Sequence, residues 1–101
     1  MRIRLTTIAM LEVEQATSYL DRARKGTGKR FTTRFQRALE EIAADPHRYP
    51  RSEDGILDLE VREYYIERFH YRVVYMMLDD IPTVVAVAHT ARLPGFWHDR
   101  I

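Results

Sequence analysis

The chain has 101 residues, of which 46% are hydrophobic and 31% charged; this is the composition of a globular protein and excludes a disordered or fibrous chain. The length suffices for one compact domain and is too short for two separate cores, so we predict a single domain over residues 1–101. Because there is no cysteine, disulfides, thiolate nucleophiles and cysteine-ligated zinc are excluded, and a formal net charge of +1 gives no general case for wrapping nucleic acid.

The cationic residues are almost all of one kind. Fourteen of the sixteen are arginine, and the only lysines are Lys25 and Lys29, in a predicted turn. Any cationic site elsewhere must therefore use arginine, whose planar guanidinium favours bidentate contacts with carboxylate or phosphate.

The amino-terminal stretch MRIRLTTIAMLEVEQ reaches acidic residues before a long apolar run develops, so we expect neither a signal peptide nor a membrane span, and a cytoplasmic protein. Residues 2–5 alternate polar and apolar side chains, which predicts a short strand. Thr6 or Thr7 can then cap a helix from Ile8 to about Arg24. Its predicted buried stripe has helical spacing and consists of Ile8, Leu11, Ala16, Tyr19, Leu20 and Ala23.

Two glycines, Gly26 and Gly28, end this helix and turn the chain. A second helix follows at once and stops at Asp45-Pro46, because proline disfavours helical geometry at the preceding residue. Its apolar stripe is the clearest in the sequence and consists of Phe31, Phe35, Ala38, Leu39, Ile42 and Ala43. The short connection predicts an antiparallel helical hairpin that buries both stripes against another layer.

After a polar loop at 47–55, three runs at 56–66, 71–78 and 83–89 have strand composition. The middle run is apolar on both faces apart from Arg72, which predicts a central strand, and the residues from Asp79 to Pro82 are predicted to form a hairpin turn with Pro82 at its edge. The predicted fold class is α+β in the order β-α-α-β-β-β: an N-terminal strand and a helical hairpin packed on one face of a mainly antiparallel sheet, with the opposite face left open to another macromolecule.

Three segments carry a resemblance to a known family. The second helix and its exit place aromatic, aliphatic and proline residues in the order Phe31, Phe35, Leu39, Ile42, Pro46, Tyr49 and Pro50. The sheet contains REYYIERFHYRVVY from Arg62 to Tyr75, and the chain closes with AVAHTARLPGFWHDRI. In this order and spacing the segments resemble the RelE/ParE superfamily of bacterial toxins over nearly every element, and the ending is most similar to the ParE branch.

The resemblance implies a type II toxin-antitoxin system, with a function in growth arrest and plasmid stabilisation. A labile, ParD-like antitoxin would neutralise the toxin in a hetero-oligomer, and no cofactor or metal is implied. RelE-like members cleave messenger RNA on the ribosome, whereas ParE-like members poison DNA gyrase. RelE-like nucleases use lysines on the strand before the central one, where this chain has Glu60, Glu63 and Glu67. This departure favours a non-enzymatic gyrase inhibitor.

Two alternatives stay open. One is a metal-independent, ribosome-dependent endoribonuclease that uses Arg72, Arg92, His98 and Glu63. The other is a protein that keeps the toxin fold and has lost toxicity. For binding a target or an antitoxin, the candidate residues are Arg72, Arg92, Phe96, Trp97 and Arg100.

Each candidate also has a structural interpretation. Arg72 can pair with Glu63 inside the fold, and Phe96 and Trp97 can fold the tail back onto the core. His89 is expected to bond to backbone at the end of its strand. The spacing of the four histidines, His47, His70, His89 and His98, is not that of a metal site.

Overall fold

The computed structural model of the chain describes residues 2–52, 59–92 and 95–101. It contains two helices, α1 (Thr7–Ala23) and α2 (Thr27–Ala44). The described strands are β1 (Arg4–Leu5), β2 (Val61–Ile66), β3 (Tyr71–Leu78) and β4 (Ile81–His89), and a short 3-10 turn at His98–Arg100 follows them. The element order is the predicted β-α-α-β-β-β.

The four strands form one sheet in the order β1-β4-β3-β2. β2, β3 and β4 are antiparallel neighbours, while β1 pairs in parallel with β4, so that Arg4 lies opposite Thr83. The register of the ladder between β3 and β4 shifts between Val74 and Tyr75: Val74 pairs with Ala86, whereas Tyr75 pairs with Val84. β3 is central, as predicted, and the sheet is mixed through β1 alone among the described strands.

Two strand boundaries differ from the prediction. β4 begins at Ile81, two residues early, because the turn needs only Asp79 and Asp80, whose φ angles of 52° and 60° suit a tight hairpin turn. Pro82 therefore lies inside β4 opposite Met77. It is tolerated there because β1 reaches β4 only from Thr83 onward. The other difference is β2, which begins at Val61, while the predicted strand residues 56–58 and loop residues 53–55 lie outside the described ranges.

The helical hairpin is closed by side chains near its turn. Thr6 caps α1 by accepting a hydrogen bond from the backbone N of Ala9 at 3.1 Å. The carboxylate of Asp21 accepts from the backbone N of Gly26 and of Gly28 at 2.9 and 3.3 Å, which satisfies donors at the start of α2. A Cβ on Gly28 would lie 2.7 Å from the carbonyl oxygen of Thr17, so the antiparallel helices approach closely here because this residue has no side chain.

Both helices pack on one face of the sheet, called the inner face. The predicted α2 stripe is confirmed except for Ala43, which is only half-buried. The other members, Phe31, Phe35, Ala38, Leu39 and Ile42, are buried against the sheet residues Tyr64, Ile66, Tyr71, Val73 and Tyr75. Phe31 is the aromatic centre of this core, with ring centroids 5.1 Å from Tyr71 and 5.4 Å from Phe69. Aromatic pairs at these separations add to the stability that burial alone provides.

The predicted α1 stripe is wrong in part. Ala16 is buried as expected, but Ile8, Leu11 and Tyr19 are 46%, 51% and 59% exposed. Ala23 is exposed as well, while Leu20 is partly buried. The fully or nearly buried residues are Ala9, Glu12 and Ala16, and Val13 and Leu20 pack partly buried against the core, so α1 turns two alanines, two aliphatic side chains and one acid toward the sheet. The reason is that α1 carries apolar residues on several sides, and periodicity alone does not choose between them.

The outer face of the sheet, opposite the helices, was predicted to be open and is partly covered. Val61, Val74, Met76, Val85 and Ala86 form a second buried cluster, over which Trp97 is completely buried and Phe96 half-buried. The chain after β4 thus folds back as the structural interpretation of these two aromatics predicts. The cover follows from composition, because β3 and β4 are apolar on both faces and exposure of both would be costly.

Candidate functional site

Five predicted binding residues meet on the outer face and form what we call the tail cluster: Arg72, Arg92, Phe96, Trp97 and Arg100. Its centre is the ring of Phe96. The guanidinium carbons of Arg92, Arg100 and Arg72 lie 4.2, 5.2 and 5.9 Å from the centroid of that ring. These are cation–π distances, so residues from β3, the turn after β4 and the 3-10 turn are held around one aromatic side chain.

Glu12 of α1 pairs with two arginines of the tail cluster, Arg100 and Arg92. Its carboxylate forms a bidentate pair with Arg100 at 2.8 and 3.0 Å and lies 3.5 Å from Arg92. It also accepts a hydrogen bond from the backbone N of Val87 at 3.0 Å, and its side chain is 9% exposed. The buried acid therefore has more than one donor, as a carboxylate removed from water requires.

Glu12 and Arg100 also complete an edge of the sheet. β1 is only two residues long and pairs with Thr83 and Val84, so the rest of that edge of β4 has no strand beside it in the described chain. Arg100 donates to the carbonyl of Val85 at 3.1 Å, and Glu12 accepts from Val87. Side chains thus replace a neighbouring strand where an exposed edge would otherwise invite pairing with another chain.

Arg72 has the structural pairing that was one of its two interpretations. Its guanidinium is 3.3 Å from the carboxylate of Glu63 across β2 and β3, and it donates to the carbonyl of Arg92 at 3.1 Å. Glu63 also accepts from the hydroxyl of Ser52 at 2.5 Å. Through its bond to Arg92, Arg72 ties the turn after β4 to the sheet. Because its side chain is only 13% exposed, it offers little surface to a partner.

The two histidines near the site differ in their surroundings. The ring of His98 stands edge-on to Trp97 with centroids 4.5 Å apart. It fits there because Gly95, at φ 72°, has no Cβ; one would lie 2.7 Å from the His98 ring. His89 accepts a hydrogen bond from the backbone N of Ala91 at 3.0 Å, which is the expected backbone contact.

The tail cluster holds three guanidiniums against two carboxylates. Arg100 and Arg72 are largely buried by their pairs, whereas Arg92 is 51% exposed beside the half-buried ring of Phe96. The parts of the tail cluster that face solvent most are therefore the Arg92 side chain and part of Phe96. Such a surface suits binding to a protein better than neutralising a polyanion.

The sequence matches the family of ParE toxins of type II toxin-antitoxin systems, parDE, over residues 3–94. The chain belongs to this family. The match contains Arg72 and Arg92 of the tail cluster and ends before Phe96, Trp97 and Arg100. The resemblance to the RelE/ParE superfamily is thus confirmed on nearly the whole chain.

Solved structures share the fold of this ParE-family toxin. The isolated E. coli RelE toxin aligns with a TM-score of 0.61 and 17% identity over 98% of this chain and 94% of its own. A chain of the intact E. coli RelBE toxin-antitoxin complex aligns with a TM-score of 0.59 and 18% identity over 90% and 98%. An E. coli RelE mutant in complex with an antitoxin RelBc peptide gives 0.61 and 17% over 99% and 93%. No curated protein matches the sequence.

The described residues offer neither a metal-binding cluster nor a membrane-spanning helix. No group of three or more histidine, aspartate or glutamate side chains in the described ranges is placed to hold a metal ion. In the same part of the toxin, neither helix is long and apolar enough to cross a bilayer.

Sequence reasoning missed two polar residues that matter to the toxin. Glu12 is not among the predicted site residues, although a carboxylate between Ala9, Val13 and Ala16 on the buried side of α1 is a signal that it has a partner. The second is Tyr64, whose hydroxyl accepts from Arg34 at 2.8 Å and donates to Glu41. Burial, followed by the hydrogen bond to Glu41, raises the pKa of Tyr64 above its usual value.

Proposed function

We propose that this toxin inhibits DNA gyrase through protein contacts and is held inactive by a ParD-like antitoxin in a hetero-oligomer. The observation that carries the proposal is the pairing of the tail-cluster arginines with acids: Arg72 with Glu63, and Arg100 and Arg92 with Glu12. Membership of the ParE family supports the same target.

The pairing weighs against a nuclease for electrostatic reasons. Cleavage of RNA without a metal needs cations that stabilise the extra charge of a pentacovalent phosphate, together with groups that move protons. A carboxylate at 2.8 to 3.5 Å from each guanidinium already takes up that charge and repels phosphate. Arg92 and Phe96 remain accessible, and arginine and aromatic residues are typical of the centres of protein interfaces.

An antitoxin has a suitable surface on α1. Ile8, Leu11 and Tyr19 are large apolar side chains, each about half exposed, and they lie at helical spacing along one side of the helix. An exposed apolar stripe of this kind fits a partner that folds on binding. The E. coli RelE structure bound to an antitoxin peptide shares this fold, which supports a toxin-antitoxin complex here.

A supercoiling assay with purified gyrase tests the proposal. We expect the wild-type toxin to inhibit supercoiling, and Arg92→Ala to need about tenfold more protein for the same effect, because Arg92 is the most exposed arginine of the tail cluster. Arg22→Ala, an exposed arginine on α1 away from the tail cluster, is the matched control and should act like wild type. Full supercoiling at a large excess of wild-type toxin would contradict the proposal.

The second candidate is a ribosome-dependent messenger RNA endoribonuclease. It is favoured by one contact, since Glu63 lies 3.3 Å from Arg72 and a base beside a cation is the pair such chemistry requires. Arg92 and His98 would complete the site. Transcript cleavage that survives both Arg72→Ala and Arg92→Ala would eliminate this mechanism.

Induction of the toxin in cells separates the two candidates by the order of events. A gyrase inhibitor should trigger DNA damage signalling before translation falls, and a nuclease should stop translation first. Harmless expression without antitoxin would indicate that the fold has been kept without toxicity.

A further inference from the structure

A second group of arginines lies away from the tail cluster, between the start of α2 and the turn that joins β2 to β3. Arg30, Arg34 and Arg68 line one hollow of about 350 Å³, together with Thr27 and Phe69. We call it the arginine hollow. The lining contains three cations, one hydroxyl and one aromatic ring, and no acid.

Among the described residues, the arginines of this hollow have no carboxylate in direct contact. Arg30 donates to the hydroxyl of Thr27 at 3.1 Å and Arg34 to the hydroxyl of Tyr64 at 2.8 Å, and both acceptors are neutral. In the described ranges no carboxylate oxygen lies within the 4.0 Å ion-pair distance of Arg30, Arg34 or Arg68. The tail cluster is the opposite case, since each of its arginines has an acid.

Arg34 is partly withdrawn from water as well. Its side chain packs over the ring of Tyr64, with the guanidinium carbon 5.4 Å from the centroid. One of its nitrogens, Nη1, is buried without a hydrogen-bond acceptor among the described residues. The Glu41 carboxylate reaches Arg34 only through the Tyr64 hydroxyl. A cation that has lost solvent on one side and has no carboxylate in direct contact gains from an anion placed beside it.

We propose that the arginine hollow binds the phosphate group of a nucleotide or nucleic acid. Arg30 and Arg68 are exposed arginines that line the hollow beside Arg34, and a tetrahedral phosphate offers oxygens to their guanidiniums in several directions. A single carboxylate offers two oxygens in one plane and one charge, which one or two arginines satisfy. The inference is independent of which target the toxin inhibits, because none of these residues belongs to the tail cluster.

Titration of the purified full-length toxin tests the site. Inorganic phosphate, adenosine monophosphate and a short single-stranded oligonucleotide are added separately, with calorimetry for affinity and NMR of the arginine Nε–H groups for location. Binding of any of the three at Arg30 and Arg68 supports the site, and their relative affinities tell which source of phosphate it prefers. A glutamate-rich peptide at the same ionic strength is the carboxylate arm.

Arg30→Gln and Arg68→Gln should each weaken phosphate binding by about tenfold, as expected for loss of one charge-assisted hydrogen bond. Both residues are exposed, and the Arg34 contact with Tyr64 is left in place, so the variants should fold, which circular dichroism checks. Arg22→Gln is the control with the same change of net charge and should bind like wild type. Absence of binding, equal weakening in the control, or tighter binding of the glutamate-rich peptide would overturn the proposal.

Discussion

Replacing Glu12 by alanine removes the acceptor that three parts of the toxin share. Arg100 loses both bonds of its bidentate pair, Arg92 loses a carboxylate at 3.5 Å, and the backbone N of Val87 loses its acceptor. Glu12 and Arg100 are 9% and 15% exposed, so water replaces these contacts poorly.

The expected cost follows from these contacts. Removing one partner of a buried ion pair costs about 3–5 kcal/mol, and the residual exposure of Arg100 places this case near the lower end of that range. The unsatisfied Val87 N–H adds about 1 kcal/mol. A total of about 4 kcal/mol is a large part of the roughly 5–15 kcal/mol that stabilises a domain. At roughly 4–8 °C per kcal/mol, the melting temperature should fall by about 16–32 °C.

Urea unfolding followed by the fluorescence of Trp97, the single tryptophan, measures this loss in the region that Glu12 anchors. Glu12→Gln should lose less, because the amide oxygen still accepts one hydrogen bond. Arg100→Ala should also lose less than Glu12→Ala, because Glu12 keeps Arg92 and Val87 as partners. A loss below about 1 kcal/mol for Glu12→Ala would refute the assignment of Glu12 as the anchor of the tail.

Two further predictions concern stability. Burial raises the pKa of Tyr75 from 10.0 to about 12. As the pH rises, the unfolded chain therefore loses the Tyr75 proton before the folded chain does. The contribution of Tyr75 to the free energy of unfolding is complete below pH 10 and should fall by up to about 2–3 kcal/mol between pH 10 and 12. Tyr75→Phe, which gives up the hydrogen bond to the carbonyl of Pro46, should lose that part of the alkaline decline in urea unfolding at several pH values, and an unchanged slope would contradict it. Gly28→Ala should destabilise by about 1–3 kcal/mol, because its Cβ would lie 2.7 Å from the carbonyl oxygen of Thr17, despite the higher helix propensity of alanine. Thr33→Ala, an exposed change in the same helix, is the thermal-unfolding control, and a stabilised Gly28→Ala would show that the helices have room to separate.

The parts of the fold that sequence predicts are those with an unambiguous local pattern. The apolar residues of α2 from Phe31 to Ile42 lie on a single side of the helix, and Asp45-Pro46 can only end a helix; the buried side and the end of α2 are both confirmed. α1 has Ile8, Ala9, Met10 and Leu11 in succession, and any of several sides is apolar enough to be buried. The buried side is chosen by contacts with β4 and the tail, which local periodicity does not contain.

The candidate site, like the fold, could be predicted from the sequence only in part. The residue types at Arg72, Arg92, Phe96, Trp97 and Arg100 made them candidates, and the fold brings all five together. Glu12, the partner of Arg92 and Arg100, lies far from them in the sequence, so no local signal identifies it. The parallel pairing of β1 with β4 also joins distant segments and has no local signal. The arginine hollow joins Arg30 and Arg34 to Arg68 only when α2 lies beside the turn after β2.

The contacts of Glu12 also constrain how this chain reaches its native state. Its partners lie 75 and 88 residues further along, so α1 cannot acquire its final environment until the chain has been synthesised through Arg100. Closing such long loops is entropically expensive and slows folding. During synthesis, then, the contacts of Glu12 should form only after the segment around Arg100 has left the ribosome.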